Sequence, residues 1–149
     1  MAAVAVKYPA FKELGAEVLA VSVDSVETHR IWQEKELSQM VRGGILFPML
    51  CDPGGRIGTL YGVYDSEKGL DQRGRFLIDP AGVIQSLEIV ADSVGRDIGE
   101  TLRQLRALQH HWSTGDYIPC GWEPGKPTLT KEQSRSGEIW KEWKTRHAF

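Results

Sequence analysis

The chain has 149 residues, a net charge of -2 and two cysteines. A chain of this length can bury a hydrophobic core within one fold, and its charge provides no basic face of the kind that binds nucleic acid. No apolar run reaches about 18 residues, so the sequence predicts no membrane span. Two widely separated cysteines do not form a disulfide framework, which is typical of a reducing compartment such as the cytoplasm.

Helix and strand signals alternate in the first half of the chain. The apolar pattern predicts a helix over residues 2–14, followed by Gly15 at the position of a helix terminator. The β-branched run from Val18 to Val23 predicts a short buried strand. Asp24 and Ser25 then offer an N-cap to the next helix.

The middle of the chain repeats this alternation. Residues 45–50 (ILFPML) predict a second strand, and the turn residues 52–55 lead into a short helix that ends near Gly62. Residues 79–82 (DPAG) have the composition of a type I turn and predict a hairpin. One face of the following helix carries apolar residues three to four apart, namely Ile98, Leu102, Leu105, Leu108 and Trp112. The alternation predicts a partly parallel sheet with helices on both faces.

The composition changes near Thr114, where prolines and glycines predict an extended tail. We therefore divide the chain into a domain over residues 1–113 and a C-terminal extension over residues 114–149. Within the extension, Ser136 to His147 predicts a last helix, whose aromatic side requires a surface to dock on. That surface belongs either to the same chain or to a partner subunit.

Three segments together resemble the AhpC/TSA family of peroxiredoxins. They are RGRFLIDPAG (residues 73–82), EVLAVSVDSVETHRIW (17–32) and IPCGWEPGKPTL (118–129), and family members carry an RG-x-F-[IV]-[IV]-D-P-x-G core and a PxxW tail. The resemblance covers roughly residues 1–130. It implies a thioredoxin-like α/β fold and a thiol-dependent peroxidase that reduces hydrogen peroxide and alkyl hydroperoxides.

The cysteine segment of this family, P-x-x-x-T-x-x-C-P, does not occur in the sequence, whereas FKELGAEV (residues 11–18) matches the end of the helix that follows it. We therefore expect that the chain begins inside the active-site helix, that the fold is incomplete at the N-terminus and that the chain by itself is inactive. The resemblance implies a peroxide substrate, a thioredoxin-like reductant and a homodimer or higher homo-oligomer. We predict no cofactor, and no metal because the sequence contains no Cys or His cluster at ligand spacing. The alternative is a non-catalytic thioredoxin-fold module that dimerises or binds through its sheet edge and tail.

Arg73 is the first candidate catalytic residue. The resemblance implies that its guanidinium activates a thiolate and orients the peroxide oxygens. The residues alone favour an ion pair between Arg73 and Asp71 or Asp79, and the resemblance reverses this preference. Arg75, two residues further on the same face, is interpreted as a solvated or ion-pairing charge.

Cys120 is the second candidate. In two-cysteine members of the family a resolving cysteine of the tail attacks the sulfenic acid and forms a disulfide. The usual phrase, V-C-P-x-x-W, would place that cysteine at Ile118, two residues before Cys120. Cys120 is therefore either a displaced resolving cysteine or an incidental thiol, and Ile118 is compatible with a single-cysteine enzyme.

For the remaining thiol and the histidines, the sequence predicts structural roles. Cys51 follows a strand and is interpreted as a small packed hydrophobe. We expect His29 to cap or pack its helix. His110 and His111 are adjacent in sequence and diverge on a helix, so they do not predict a metal pair.

Overall fold

The computed structural model describes residues 1–149, which form two compact units, Met1–Ile98 and Gly99–Phe149. The elements of the first unit are, in chain order, α1 (Ala2–Glu13), β1 (Ala20–Ser22), α2 (Val26–Trp32), α3 (Ser38–Met40), β2 (Met49–Cys51), α4 (Arg56–Leu60), β3 (Tyr64–Asp65), β4 (Leu70–Asp71), β5 (Arg73–Ile78) and β6 (Ile84–Val90). A π-helical turn, Gln33–Leu37, joins α2 to α3. The second unit contains α5 (Ile98–Thr114), which starts at the boundary, then α6 (Lys131–Arg135), α7 (Ile139–Glu142) and a 3-10 turn, Thr145–Ala148.

The strands pair two by two. β1 and β2 are parallel, whereas β3 pairs with β4 and β5 with β6 in antiparallel fashion. The predicted combination of parallel and antiparallel pairing is therefore confirmed. The second strand is shorter than predicted, because β2 starts only after Pro48, which has no N–H to donate to a neighbouring strand.

The core of the first unit lies between the parallel pair and the helices that flank it. Its buried members come from α1, from the end of the π-helical turn and from the segment before β2: Ala5, Leu37, Ile45 and Phe47. The ring of Tyr8 packs against that of Phe47, with 5.4 Å between the ring centroids. Apolar burial on one side of the short strands, where Ala20 and Met49 pack against the core, holds the pair together, since three residues per strand form few backbone hydrogen bonds. On the other side Val21 and Leu50 are exposed, so the strand predicted to be buried is covered on one face only.

The predicted cap and hairpin are both present. The hydroxyl of Ser25 accepts a hydrogen bond from the backbone N–H of Thr28 at 3.1 Å, at the start of α2. The N–H of Gly82 donates to the carbonyl of Asp79 at 2.9 Å and closes the turn between β5 and β6. Gly74 allows close packing of β5, because an added Cβ would lie 2.8 Å from Cγ1 of Val63.

The second unit is organised around Trp122. This residue is 3% exposed and lies in a loop that is closed where Tyr117 and Leu129 exchange backbone hydrogen bonds of 2.7 and 3.0 Å. The indole Nε1 donates to the carbonyl of Lys126 at 2.9 Å. The tail that the prolines predicted to be extended is therefore folded back on itself here.

The prediction of one helix from Ser136 to His147 is wrong. The segment contains the four residues of α7 and, after an extended Trp143, a separate 3-10 turn. Gly137, at φ 70°, interrupts the chain before α7. A helix that the sequence analysis missed, α6, precedes it and carries a capping box between Thr130 and Gln133. None of the helices is both long and apolar enough to cross a membrane.

We predict that Leu37→Ala destabilises the fold by roughly 2–5 kcal/mol, because it leaves a cavity at a core position. Leu37 is 1% exposed. Leu60→Ala is the matched control, since Leu60 is 79% exposed, and should change the free energy of unfolding by less than about 0.5 kcal/mol. Urea denaturation followed by circular dichroism measures both changes, and similar values for the two variants would contradict the assignment of the core.

Candidate functional site

Arg73 is the first residue of β5 and lies opposite Val90 of β6. Its side chain is exposed, and neither of the carboxylates considered as its partner forms an ion pair with it. Asp79 instead accepts hydrogen bonds from the turn backbone and from the Gln85 side chain, and these bonds lower the pKa of the Asp79 carboxyl. The guanidinium of Arg73 is thus available to a ligand.

Two further arginines lie near Arg73. The guanidinium of Arg75 forms an ion pair with Glu88, its cross-strand neighbour, at 3.2 Å and donates to the carbonyl oxygen of Asp97 at 2.8 Å. The prediction that Arg75 is an ion-pairing charge is confirmed. Arg96 donates a short hydrogen bond to the carbonyl of Gly74.

The electrostatics of this group indicate mutual repulsion that is only partly compensated. Burial, followed by the positive charges of Arg73 and Arg75, lowers the pKa of Arg96, while Glu88 acts in the opposite direction. Burial, Arg96 and Arg73 also lower the pKa of the Met1 amino group, which precedes α1. We call Arg73, Arg75 and Arg96 the arginine cluster. It lies beside the N-terminal end of α1, where the helix dipole is positive, so the region favours a negatively charged group.

Cys120 lies in the second unit, in the turn between Pro119 and Gly121, and its side chain is exposed. It stands two residues before the buried Trp122, whose carbonyl accepts a hydrogen bond of 3.0 Å from Arg103. The pKa of Arg103 is raised chiefly by its hydrogen bond to Glu100 and, to a smaller extent, by the nearby Cys120. The thiol is therefore accessible, but its backbone is anchored.

Cys51 and His29 are in contact, which the sequence analysis did not anticipate. The Cys51 sulfur lies 3.6 Å from Nδ1 of His29, and the histidine is 7% exposed. The two residues are 22 positions apart in the chain and meet because α2 packs against β2. Local periodicity carries no signal for such a contact.

Asp52 and Asp71 also lie near each other. The Asp52 side chain is buried, and its Oδ2 accepts a hydrogen bond from the N–H of Gly58 at 2.9 Å, in keeping with its predicted role at the turn into α4. Oδ1 of Asp71 is buried and has no hydrogen-bond partner. Burial, and to a smaller extent the charge of Asp52, raise the pKa of Asp71.

The histidines of α5 point in different directions, as their adjacency predicts. The ring of His110 packs against Trp122 and that of His111 against Tyr117. His110 and Trp122 line a cleft of about 620 Å³ in the second unit, together with Arg106 and Lys126. Neither of the two candidate catalytic residues lines this cleft. The structure contains no group of three or more His, Cys, Asp or Glu side chains arranged to hold a metal ion.

Family models match most of the chain. The model of the AhpC/TSA family matches residues 1–87, and that of the C-terminal domain of 1-Cys peroxiredoxin matches residues 107–145. Selenocysteine-containing peroxiredoxin PrxU of Peptoclostridium acidaminophilum is 54% identical over 151 residues, which cover 100% of this chain and 74% of that protein. Alkyl hydroperoxide reductase C of Bacillus subtilis is 39% identical over 134 residues, or 89% of this chain and 70% of that protein.

Solved structures show the same fold. The reduced 2-Cys peroxiredoxin of Plasmodium vivax superposes with a TM-score of 0.85 at 31% identity, covering 94% of this chain and 72% of the other. AhpC of Enterococcus faecalis gives a TM-score of 0.73 at 34% identity, with 79% and 69% covered. The predicted thioredoxin-like α/β fold and thiol-dependent peroxidase function are confirmed by these relatives. A family match over more than half of the chain and a relative aligned along all of it lead to one conclusion: the chain belongs to the AhpC/TSA family of peroxiredoxins.

Proposed function

We propose that this peroxidase reduces hydrogen peroxide and alkyl hydroperoxides, and that Arg73 activates the thiolate that attacks them. In this reaction the sulfur forms a bond with the terminal oxygen of the hydroperoxide, the O–O bond breaks, and water or an alcohol leaves. The attacking sulfur and the leaving oxygen both carry negative charge. A fixed positive group beside them therefore stabilises both the reactant thiolate and the transition state.

The observation that carries this proposal is the arginine cluster beside the start of α1. In the peroxiredoxin family the reactive cysteine belongs to the segment that leads into this helix, so a thiolate there would meet the positive end of α1 and the cluster together. Within the cluster, Arg75 is engaged by Glu88 and by the Asp97 carbonyl, and Arg96 by the Gly74 carbonyl. Arg73 is exposed, which favours it as the arginine that contacts the substrate.

We further propose a thioredoxin-like reductant, a homo-oligomeric assembly and a cytoplasmic location. Both cysteines are free thiols, which suits a reducing compartment. Trp140 is 66% exposed, and the amines of Lys141 and Lys144 lie over its ring at 5.6 and 5.4 Å. An exposed tryptophan of this kind is suited to burial against a partner subunit, which favours the second of the two docking surfaces considered for the tail.

Arg73→Ala should lower kcat/KM for hydrogen peroxide at least about tenfold, because loss of the adjacent charge raises the pKa of the thiolate by about one unit or more. The assay is NADPH oxidation coupled through thioredoxin reductase and thioredoxin. It uses the chain joined at its N-terminus to the cysteine segment of the family, so that the nucleophile is supplied in the same way to every variant.

Two variants control for this effect. Arg73→Lys should restore part of the rate, since an ammonium group supplies the charge without the planar fork of donors. Arg42→Ala removes an exposed arginine outside the cluster and should leave the rate unchanged. Wild-type kinetics in Arg73→Ala would remove Arg73 from the site.

We also propose that Cys120 is the resolving cysteine. Its exposure supports this role, because the sulfenic acid that it attacks must be able to reach it. In the same extended protein, one equivalent of peroxide should produce a disulfide-linked dimer on a non-reducing gel, and Cys120→Ser should abolish this dimer. Cys51→Ser is the matched control and should retain it. A dimer band that persists in Cys120→Ser, with thioredoxin-driven turnover intact, would instead indicate a single-cysteine enzyme with Ile118 in the resolving position.

A further inference from the structure

Four polar side chains of the first unit are joined end to end, outside the arginine cluster. The hydroxyl of Ser22 donates to Oδ2 of Asp24 at 2.8 Å, and the same hydroxyl oxygen lies 2.8 Å from Nε2 of His29. On the other side of the imidazole, Nδ1 lies 3.6 Å from the Cys51 sulfur. We call this chain, from Asp24 through Ser22 and His29 to Cys51, the cysteine relay.

The hydrogen bonds determine which nitrogen of His29 carries the proton. A serine hydroxyl has one hydrogen, and that of Ser22 is donated to Asp24. The Ser22 oxygen must therefore accept from Nε2, which places the imidazole proton there. In the neutral ring Nδ1 is then an unprotonated acceptor, and it is this atom that faces Cys51. The network assigns His29 as a base oriented towards the thiol.

The tertiary structure makes this arrangement rigid. Ser22 and Cys51 are register partners in the parallel pair of β1 and β2, and His29 is held at 7% exposure in α2. Cys51 itself is partly exposed. A thiol in contact with an oriented base is the usual arrangement of a reactive cysteine.

We propose that Cys51 is a second peroxide-reactive thiol of this protein and that His29 is its general base. As the sulfur attacks the terminal oxygen of a hydroperoxide, the thiol proton passes to Nδ1 of His29. An S–O bond forms and the O–O bond breaks. The leaving hydroxide or alkoxide takes the proton from the imidazolium and departs as water or an alcohol. The sulfur loses two electrons and becomes a sulfenic acid, while the peroxide gains them.

The chemistry around Cys51 favours a peroxide over a disulfide as the oxidant. The relay ends in the carboxylate of Asp24. Its negative charge disfavours an anionic disulfide such as oxidised glutathione, whereas a hydroperoxide is small and uncharged. The peroxidase function of the family supplies this oxidant, but the reaction at Cys51 requires neither Arg73 nor Cys120. Failure of either proposal would therefore leave the other standing.

The first experiment measures sulfenic acid at each cysteine separately. The 149-residue chain with Cys120→Ser is treated with hydrogen peroxide in the presence of dimedone, and adduct formation is followed by mass spectrometry on the tryptic peptide of residues 43–56, which contains Cys51. We expect the adduct to form at least about tenfold faster than in the same chain unfolded in urea, since general-base catalysis contributes roughly 10²–10⁴-fold. Equal rates in the folded and unfolded chain, or faster reaction with oxidised glutathione than with peroxide, would overturn the proposal.

Variants of the relay test the role of His29. His29→Gln keeps a polar side chain that takes no proton and should slow the adduct at least about tenfold. Ser22→Ala removes the acceptor that fixes the tautomer and should also slow it, by a smaller factor. His110→Gln and Ser38→Ala, which change the same residue types outside the relay, should have no effect. If His29→Gln does not fold by circular dichroism, Ser22→Ala decides the outcome, and an unchanged rate in that variant would refute the relay.

Nuclear magnetic resonance distinguishes the proposed base from a purely structural histidine, because it reports which ring nitrogen carries the proton. Long-range ¹H–¹⁵N spectra should show His29 protonated at Nε2 and bare at Nδ1 in the wild-type chain. Ser22→Ala should shift the ring towards a mixture of tautomers. A wild-type His29 protonated at Nδ1 would contradict the proposed base.

Discussion

The parallel pairing of β1 with β2 is the interaction on which the first unit depends. Each strand has only three residues, too few to form a stable pair without support. Burial of Leu37, Ile45 and Phe47 beside them supplies that support. The N–H of Asp52 extends the pairing through a 2.7 Å hydrogen bond to the Ser22 carbonyl. The strand register brings Ser22 beside Cys51, and α2 adds His29. Packing of apolar side chains thus fixes the geometry of the cysteine relay.

The arginine cluster represents the opposite situation, in which the fold holds like charges together. Such an arrangement is unfavourable unless it is compensated, and here the Glu88 carboxylate and the carbonyls of Gly74 and Asp97 compensate two of the three guanidiniums. Burial, followed by the remaining repulsion from Arg73 and Arg75, lowers the pKa of Arg96. A positive potential that persists in this way is typical of functional sites, where it stabilises a negatively charged reactant. Binding of an anion would relieve the repulsion, which is consistent with the proposed role of Arg73.

In the second unit the buried Trp122 controls the position of Cys120. The indole is fixed by the Lys126 carbonyl and by packing against the tilted ring of His110, whose centroid lies 4.9 Å away. The backbone two residues before the tryptophan is therefore held by contacts within the loop, while the Cys120 side chain is exposed.

The sequence by itself determined the features that depend on neighbours in the chain. The Ser25 cap, the turn at Asp79 and the amphipathic α5 were predictable because each depends on residues a few positions apart. The family was recognisable from three short segments. The last helix was predicted wrongly, because aromatic spacing alone could not show that Gly137 and an extended Trp143 divide it.

The tertiary structure determined the features that depend on contacts between residues far apart in the chain. Cys51 and His29 are 22 residues apart, and each by itself has the pattern of a packed side chain. Arg96 was not distinguishable from other surface arginines until the fold placed it against β5. Side-chain periodicity reports which face of an element is buried but not which element covers it. Which nitrogen of His29 carries the proton in the cysteine relay, and which arginines form the arginine cluster, could therefore be derived only from the packed structure.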